Sequence, residues 1–265
     1  MTPTKLALCL KILVLTLAWV IANFTIDVPQ VWAESPIVAF INRLFNPPAQ
    51  GTPKSRARGA AGRGRCPTIG IPLTAIVPTK NQYTGGLTLE EHPILWFYVP
   101  YYSSKELSSA KLVLLDADKN IVFHRKVRLP DTPGIIKLRL PYKLATNKTY
   151  SWYFSIICDL QKPTRNPSVK GWIQRVEQTE KLRQQLNGIE QQQSGVAKQQ
   201  QKYLAYIENN IWYETLTNLA ESRFNDPLER TFHDDWDALL KELDFSELTQ
   251  EPIVNCCTLE EKGEN

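Results

Sequence analysis

No HExxH, GxSxG, P-loop or GxGxxG pattern occurs in the chain. These absences remove the sequence grounds for a helix-borne zinc site, a nucleophile elbow, a phosphate-cradling loop and a dinucleotide-binding turn. Histidine is scarce, at three residues. His92 precedes Pro93 at a strand entrance, and His124 sits among Arg125, Lys126 and Arg128. His233 is followed by Asp234 and Asp235 in "HDDWD", where consecutive helical positions point in different directions, so this run reads as a solvated face. Asp116 and Asp118 suit a turn better than a calcium loop. CxxC spacing is also missing, which argues against a zinc knot or a redox dithiol. No catalytic residue, cofactor or metal ligand is nominated on these grounds.

The N-terminus is informative. Lys5 and Lys11 precede an apolar run, Ile12 to Phe24, and small residues at Val31 and Ala33 bracket Trp32. This order describes a secretory signal over residues 1–33, with a mature chain beginning at Glu34. An uncleaved anchor is the alternative, because the run is long for a signal yet short of the about 20 residues of a span. A membrane is a partner only in that case. No Arg-Arg pair suggests the twin-arginine route.

Export places the four remaining cysteines in a disulfide-permissive compartment. Cys66 and Cys158 flank the strand-rich region and are the expected pair. The alternative joins one of them to the tail, residues 249–265, which reads as disordered and holds the adjacent Cys256 and Cys257, poorly placed to bridge each other. Residues 34–65 form a flexible Pro/Gly/Arg linker ending in "KSRARGAAGRGRC". An exported chain rarely meets nucleic acid, so none is expected as a partner; anionic lipid or wall polymer is the fitter contact. Charge is divided along the chain. Residues 66–177 carry fifteen basic against eight acidic side chains, net +7, whereas residues 178–265 carry eight against seventeen, net −9. Such a division favours attraction between the halves or separate partners.

From Ile71 onward, short apolar runs alternate with turn residues: "IPLTAIVP", "PILWFYVP", "AKLVLLDA", "NIVFHRKVRL", "GIIKLRLP", "TYSWYFSIIC" and "VKGWIQRV". Seven or eight strands over residues 66–177 predict an antiparallel β-sandwich. "PILWFYVP" is apolar on both faces, so it predicts a central, doubly covered strand. Tyr101 and Tyr102, beyond Pro100, are candidate ligand contacts together with His92. Tyr150 after "LATNKT" resembles the tyrosine corner of immunoglobulin-like sandwiches. After Glu177 the period lengthens to that of helices, predicting about three over residues 178–248, docked on the sandwich. The last is expected to open with Asp226 as N-cap, Pro227 in the first turn and Glu229 completing a capping box. Its stripe is Leu228, Phe232, Trp236, Leu239, Leu240 and Leu243.

Taken in order, "GRGRCP", "TAIVP", "PILWFYVP", "PGIIKLRLP", "YSWYFSIICD", "VKGWIQRV" and "NIWYETLTNLA" resemble the cyanobacterial exported family catalogued as domain of unknown function number 928. The resemblance runs from about Arg56 to Leu248 and implies no catalytic residue. "NIWYETLTNLA" also resembles part of a tetratricopeptide unit, one partial unit being too little for a repeat. Two functional expectations follow. One is an exported non-catalytic binding or scaffolding protein of the periplasm or cell envelope, with a protein or cell-wall polymer as partner. The other is an exported carbohydrate-active or hydrolytic enzyme with a cleft near Tyr101, Tyr102 and His92.

Overall fold

The computed structural model describes residues 35–41, 57–59, 66, 70–80, 82–103 and 109–257. The expected signal segment, most of the expected Pro/Gly/Arg linker and residues 258–265 thus lie outside the described residues.

Nine strands and five α-helices are found among the described residues. A short helix, α1 (Pro36–Ile41), precedes the strands β1 (Thr74–Ala75), β2 (Thr79–Lys80), β3 (Tyr83–Thr88), β4 (Ile94–Val99) and β5 (Ser109–Leu115). Then come β6 (Ile121–Arg128), β7 (Gly134–Arg139), β8 (Thr149–Ile156) and β9 (Ser168–Arg175). The helices α2 (Glu180–Glu190), α3 (Val196–Glu208), α4 (Trp212–Asn225) and α5 (Arg230–Glu242) follow. A three-stranded sheet runs β1-β4-β7, and a six-stranded sheet runs β2-β3-β9-β8-β5-β6.

The apolar strand β4 is the middle of the smaller sheet, and all six of its residues are buried. Its alternation divides the contacts. Phe97 stacks on Phe154 of β8 at 4.3 Å and meets Trp152 edge-on at 5.6 Å. Trp96, on the opposite face, donates from Nε1 to Thr217 Oγ1 of α4 at 3.0 Å. One face therefore meets the larger sheet and the other meets a helix. β8 alternates as its sequence requires, with Tyr150, Trp152, Phe154 and Ile156 buried. The Tyr150 hydroxyl accepts from the Ala145 amide at 3.2 Å. The β5–β6 hairpin turns on Asp116, whose Oδ1 accepts from the Asn120 amide at 2.8 Å, with Lys119 at φ 67°.

Four features of the chain path depart from the sequence reading, and the pairing of the tail cysteines is a fifth. First, β3 was not among the expected strands, and its pairing with β9 is parallel. "YTGGLT" hides its strand character behind Gly85 and Gly86, residues that β-propensity disfavours. Gly85 has φ +152°, and a Cβ there would lie 2.1 Å from the Trp172 carbonyl oxygen; one on Gly86 would lie 2.6 Å from Trp212 Cβ. The glycines are the condition for β3 to meet β9 and α4 closely. Second, the helical region holds four helices, because Asn210, at φ 62°, breaks the stretch between α3 and α4. Third, α5 starts at Arg230, with the Glu229 side chain accepting from the Thr231 amide at 2.9 Å. Asp226 and Pro227 lie in the preceding turn, and Leu228 is 91% exposed rather than part of the stripe. Fourth, the tail is structured as far as Cys257. Pro252 O accepts from the Ile135 amide at 2.7 Å and the Val254 amide donates to Ile135 O at 2.9 Å, so residues 252–254 lie along the edge of β7.

α4 binds the layers together. Tyr213 donates its hydroxyl proton to Trp172 O of β9 at 3.0 Å and accepts from Trp152 Nε1 of β8 at 3.0 Å. Trp212 donates from Nε1 to Ile76 O at 3.3 Å, on the side of the smaller sheet. Sheets and helices thus share one hydrophobic core, with a second, smaller cluster of Leu182, Ile189, Ala205 and Ile211. Cys66 and Cys158 form the expected disulfide, their Cα atoms 5.2 Å apart. Cys256 and Cys257 are joined to each other, contrary to expectation, with Cys257 at φ 74°.

Candidate functional site

A cavity of about 210 Å³ opens where the entrance of β4 meets α3 and α4. His92 comes from the turn into β4, Arg139 from the end of β7, Lys202 and Tyr206 from α3, and Glu214 from α4. Glu90, an exposed residue, stands at the rim.

Glu214 is the unusual member. It lies in the first turn of α4, where the helix dipole favours a carboxylate. Yet it is only 6% exposed. Oε1 accepts from Thr88 Oγ1 at 2.5 Å, whereas Oε2 is buried with no hydrogen-bond partner among the described residues. Burial is the largest influence and pushes the carboxyl from an ordinary 4.5 to about 7, outweighing the Thr88 hydrogen bond that pulls it down. Near neutral pH the group is divided between acid and anion. It can give or take a proton, or donate a hydrogen bond while uncharged. Thr88 also accepts from the Glu90 amide at 3.1 Å, so one hydroxyl ties the β3–β4 turn to α4.

The surrounding groups are held in place. Arg139 Nη1 donates to His92 O at 3.0 Å. His92 Nδ1 lies 3.3 Å from Leu140 O; the carbonyl only accepts, so Nδ1 carries a proton in this contact. Lys202 Nζ is 3.5 Å from a Glu190 oxygen. The Tyr206 hydroxyl is pushed up to about 12, by burial first and then by the nearby carboxylates, led by Glu214. It remains a neutral donor and acceptor throughout the physiological range.

The expected cluster of His92, Tyr101 and Tyr102 is not assembled. His92 and the tyrosines lie at opposite ends of β4, about 25–30 Å apart along extended chain. Tyr101 is buried, its hydroxyl pushed up by burial, and Tyr102 is 58% exposed; neither lines the Glu214 cavity. The "HDDWD" run is likewise not all solvated: Asp235 is 2% exposed and accepts from Tyr203 Oη at 2.5 Å, from Gln200 Nε2 at 2.9 Å and from Ser35 Oγ. No group of three or more His, Cys, Asp and Glu able to hold a metal occurs among the described residues. Glu214, Arg139 and Tyr206 were missed, and Asp235 was misread as solvated. Glu214 left a signal: it is the single carboxylate inside "IWYETLTNLA", a segment with almost no other polar face.

A family model described as Domain of Unknown Function (DUF928) matches residues 58–253. Its limits coincide with structural closures: Arg58 bridges Thr74 and Ile253 bridges Ile135. The Cys66–Cys158 disulfide falls inside the match, and Cys256 and Cys257 fall outside it. No curated protein matches the chain.

Proposed function

Since the chain belongs to the family described as Domain of Unknown Function (DUF928), its role is argued from its own cavity, and we propose an exported, non-catalytic binding protein whose small polar ligand occupies the Glu214 cavity. The observation that carries this reading is the buried, unpartnered Oε2 of Glu214 at a cavity also lined by His92, Arg139 and Tyr206. Leaving a buried carboxyl oxygen without a partner costs about 1–3 kcal/mol or more, a cost that a ligand hydroxyl or amine would recover. Export to a periplasm or envelope is supported by the leader-like segment ending in Val31-Trp32-Ala33 and by the Cys66–Cys158 cross-link. No helix among the described residues is long and apolar enough to cross a membrane. An immunoglobulin-like sandwich is the finer fold reading, supported by the Tyr150–Ala145 hydrogen bond and by the Phe97–Phe154 contact between the sheets.

Hydrolysis is the second reading, favoured by one observation: a carboxyl titrating at about 7 shares its cavity with Glu90 and His92. Thermal-shift screening of the mature protein against monosaccharides, amino acids and polyamines separates the two. The expected result is at least one compound that raises Tm in the wild type and not in Glu214→Ala. Turnover of nitrophenyl glycosides that is lost in Glu214→Gln replaces binding by hydrolysis, and silence in both assays removes the site.

A further inference from the structure

The outward side chains of β9, β8, β5 and β6 include no acidic residue. Strand register sets them in rows. Lys170 stands beside Tyr153, Tyr153 beside Val113, and Val113 beside His124. The next row is Ser168, Ser155, Lys111 and Lys126, and Arg128 stands opposite Ser109 at the following position. Lys111, His124, Lys126 and Arg128 are exposed, while Tyr153 and Lys170 are half-buried. The opposite side of the same strands is core, with Leu112, Val127 and Phe154 buried. Among the described residues no helix packs against β5 or β6, and α4 meets β8 and β9 through Tyr213, which bonds to the inward-facing Trp152 and to Trp172 O. Arg128 has only a distant neighbour, Asp131 at 3.9 Å, and Lys111, Lys126 and Lys170 have no carboxylate partner among the described residues.

We propose that this face binds an acidic polysaccharide, a polymer of carboxylate-bearing sugars. The inference is independent of the Glu214 cavity. Strands lie about 4.8 Å apart, so cations on β9, β5 and β6 are spread across about 15 Å of sheet. A spread of this kind suits a repeating polyanion better than a single small anion, which gathers its cations round one point. The half-exposed Tyr153 ring, with Lys170 Nζ 6.0 Å from its centroid, offers an aromatic surface for a sugar face beside a cation for its carboxylate. Ser155 and Ser168 add hydroxyls to the adjacent row. Of the exposed large apolar side chains, Tyr102, Leu160, Phe224 and Leu228 stand off these strands, and Ile121 stands singly at the start of β6 opposite Leu115, so the face carries one apolar side chain rather than the apolar stripe that membrane insertion uses.

Affinity electrophoresis and calorimetry with polygalacturonate, at low and high salt, test the proposal. Wild-type protein is expected to bind at low salt and release at high salt, because exposed charges are screened beyond about 10 Å at 0.1 M. Lys111→Glu/Lys126→Glu weakens binding about tenfold or more, given that each reversal replaces an attraction by a repulsion. Tyr153→Ala weakens it several-fold, and the charge-matched control Lys181→Glu/Lys241→Glu on the helices leaves it unchanged. Lys126→Gln, a milder change at an exposed edge position, gives the same direction if the double reversal does not fold. Unaltered binding in the Lys111/Lys126 or the Tyr153 variant overturns the proposal. So does equal affinity for anionic phospholipid vesicles, which marks the face as a general polyanion or membrane surface.

Discussion

A carboxyl group with one oxygen engaged and the other bare is sensitive to pH, and Glu214 shows how. Its folded-state value of about 7 lies above the ordinary 4.5. The folded state therefore holds a proton that the unfolded state has released between those two values. Stability is fully present below about 4.5 and falls as pH rises through about 7, the reverse of a carboxylate in an ion pair. The difference corresponds to about 3 kcal/mol by pH 8. Glu214→Gln is expected to flatten that decline and to be the more stable protein above pH 7, as read from urea midpoints at pH 5 and pH 8. Asp235, by contrast, has its oxygens engaged by several donors. It collects Ser35, Gln200 and Tyr203, joining the residue that precedes α1 to α3 and α5. Burial, then Asp235, pushes the Tyr203 hydroxyl up. Asp235→Ala leaves these donors without their acceptor, and a loss of about 2–4 kcal/mol is expected in chemical denaturation.

At the scale of elements, α4 and β3 depend on each other through two glycines. A Cβ on Gly86 meets Trp212 Cβ, an atom that cannot move without the helix. Gly86→Ala is expected to cost about 1–3 kcal/mol by overpacking. Gly188, exposed in α2 with nothing within 4 Å of a Cβ, has the opposite sign. Gly188→Ala is expected to stabilise by up to about 1 kcal/mol. Paired thermal melts of the two variants check both. These same glycines account for much of what the sequence concealed. β8 was legible because it declares its faces through alternation, β4 because a short run apolar on both faces marks a doubly covered strand, and the disulfide because its cysteines flank the strands. β3 was not legible, since its glycines answer to side chains distant in sequence. The cavity was half legible: His92 was singled out, but its neighbours Arg139, Tyr206 and Glu214 come from three other elements, which no local pattern brings together. The tyrosines adjoining β4 drew attention through composition alone, and one of them is simply core.

For the whole molecule, the Cys66–Cys158 bond spans 92 residues and encloses β1 through β8. The chain-entropy relation gives about 4–5 kcal/mol for such a loop, an upper value for its contribution. Reduction, or Cys66→Ser/Cys158→Ser, is expected to lower the denaturant midpoint by a corresponding amount. Breaking Cys256–Cys257, which closes a separation of one residue, is expected to have a much smaller effect. Mass spectrometry of non-reduced peptides identifies which bonds are intact in each sample. The charge division has a modest structural counterpart in Lys137, which pairs with Glu221 at 2.8 Å, and the preceding segment adds Arg58 with Glu247 at 2.9 Å. Such half-exposed pairs contribute little beside the tryptophans of the shared core.

The parallel pairing of β3 with β9 also sets an order in time. Gly85 meets Trp172, 87 positions later in the chain. A polypeptide delivered N-terminus first therefore carries β3 for a long interval with only the two-residue β2 beside it, and an isolated hairpin is marginal in water. Even after β9 arrives, the slot over Gly86 stays empty until Trp212 and the rest of α4 have been delivered. Folding dominated by such distant pairings runs in milliseconds to seconds or slower. α4 is expected to seat late, so Leu216→Ala accelerates unfolding and leaves the refolding rate nearly unchanged in stopped-flow fluorescence. Until that helix closes, the nascent protein exposes an unpaired strand edge beside an open core, a condition that favours aggregation and that chaperones counter.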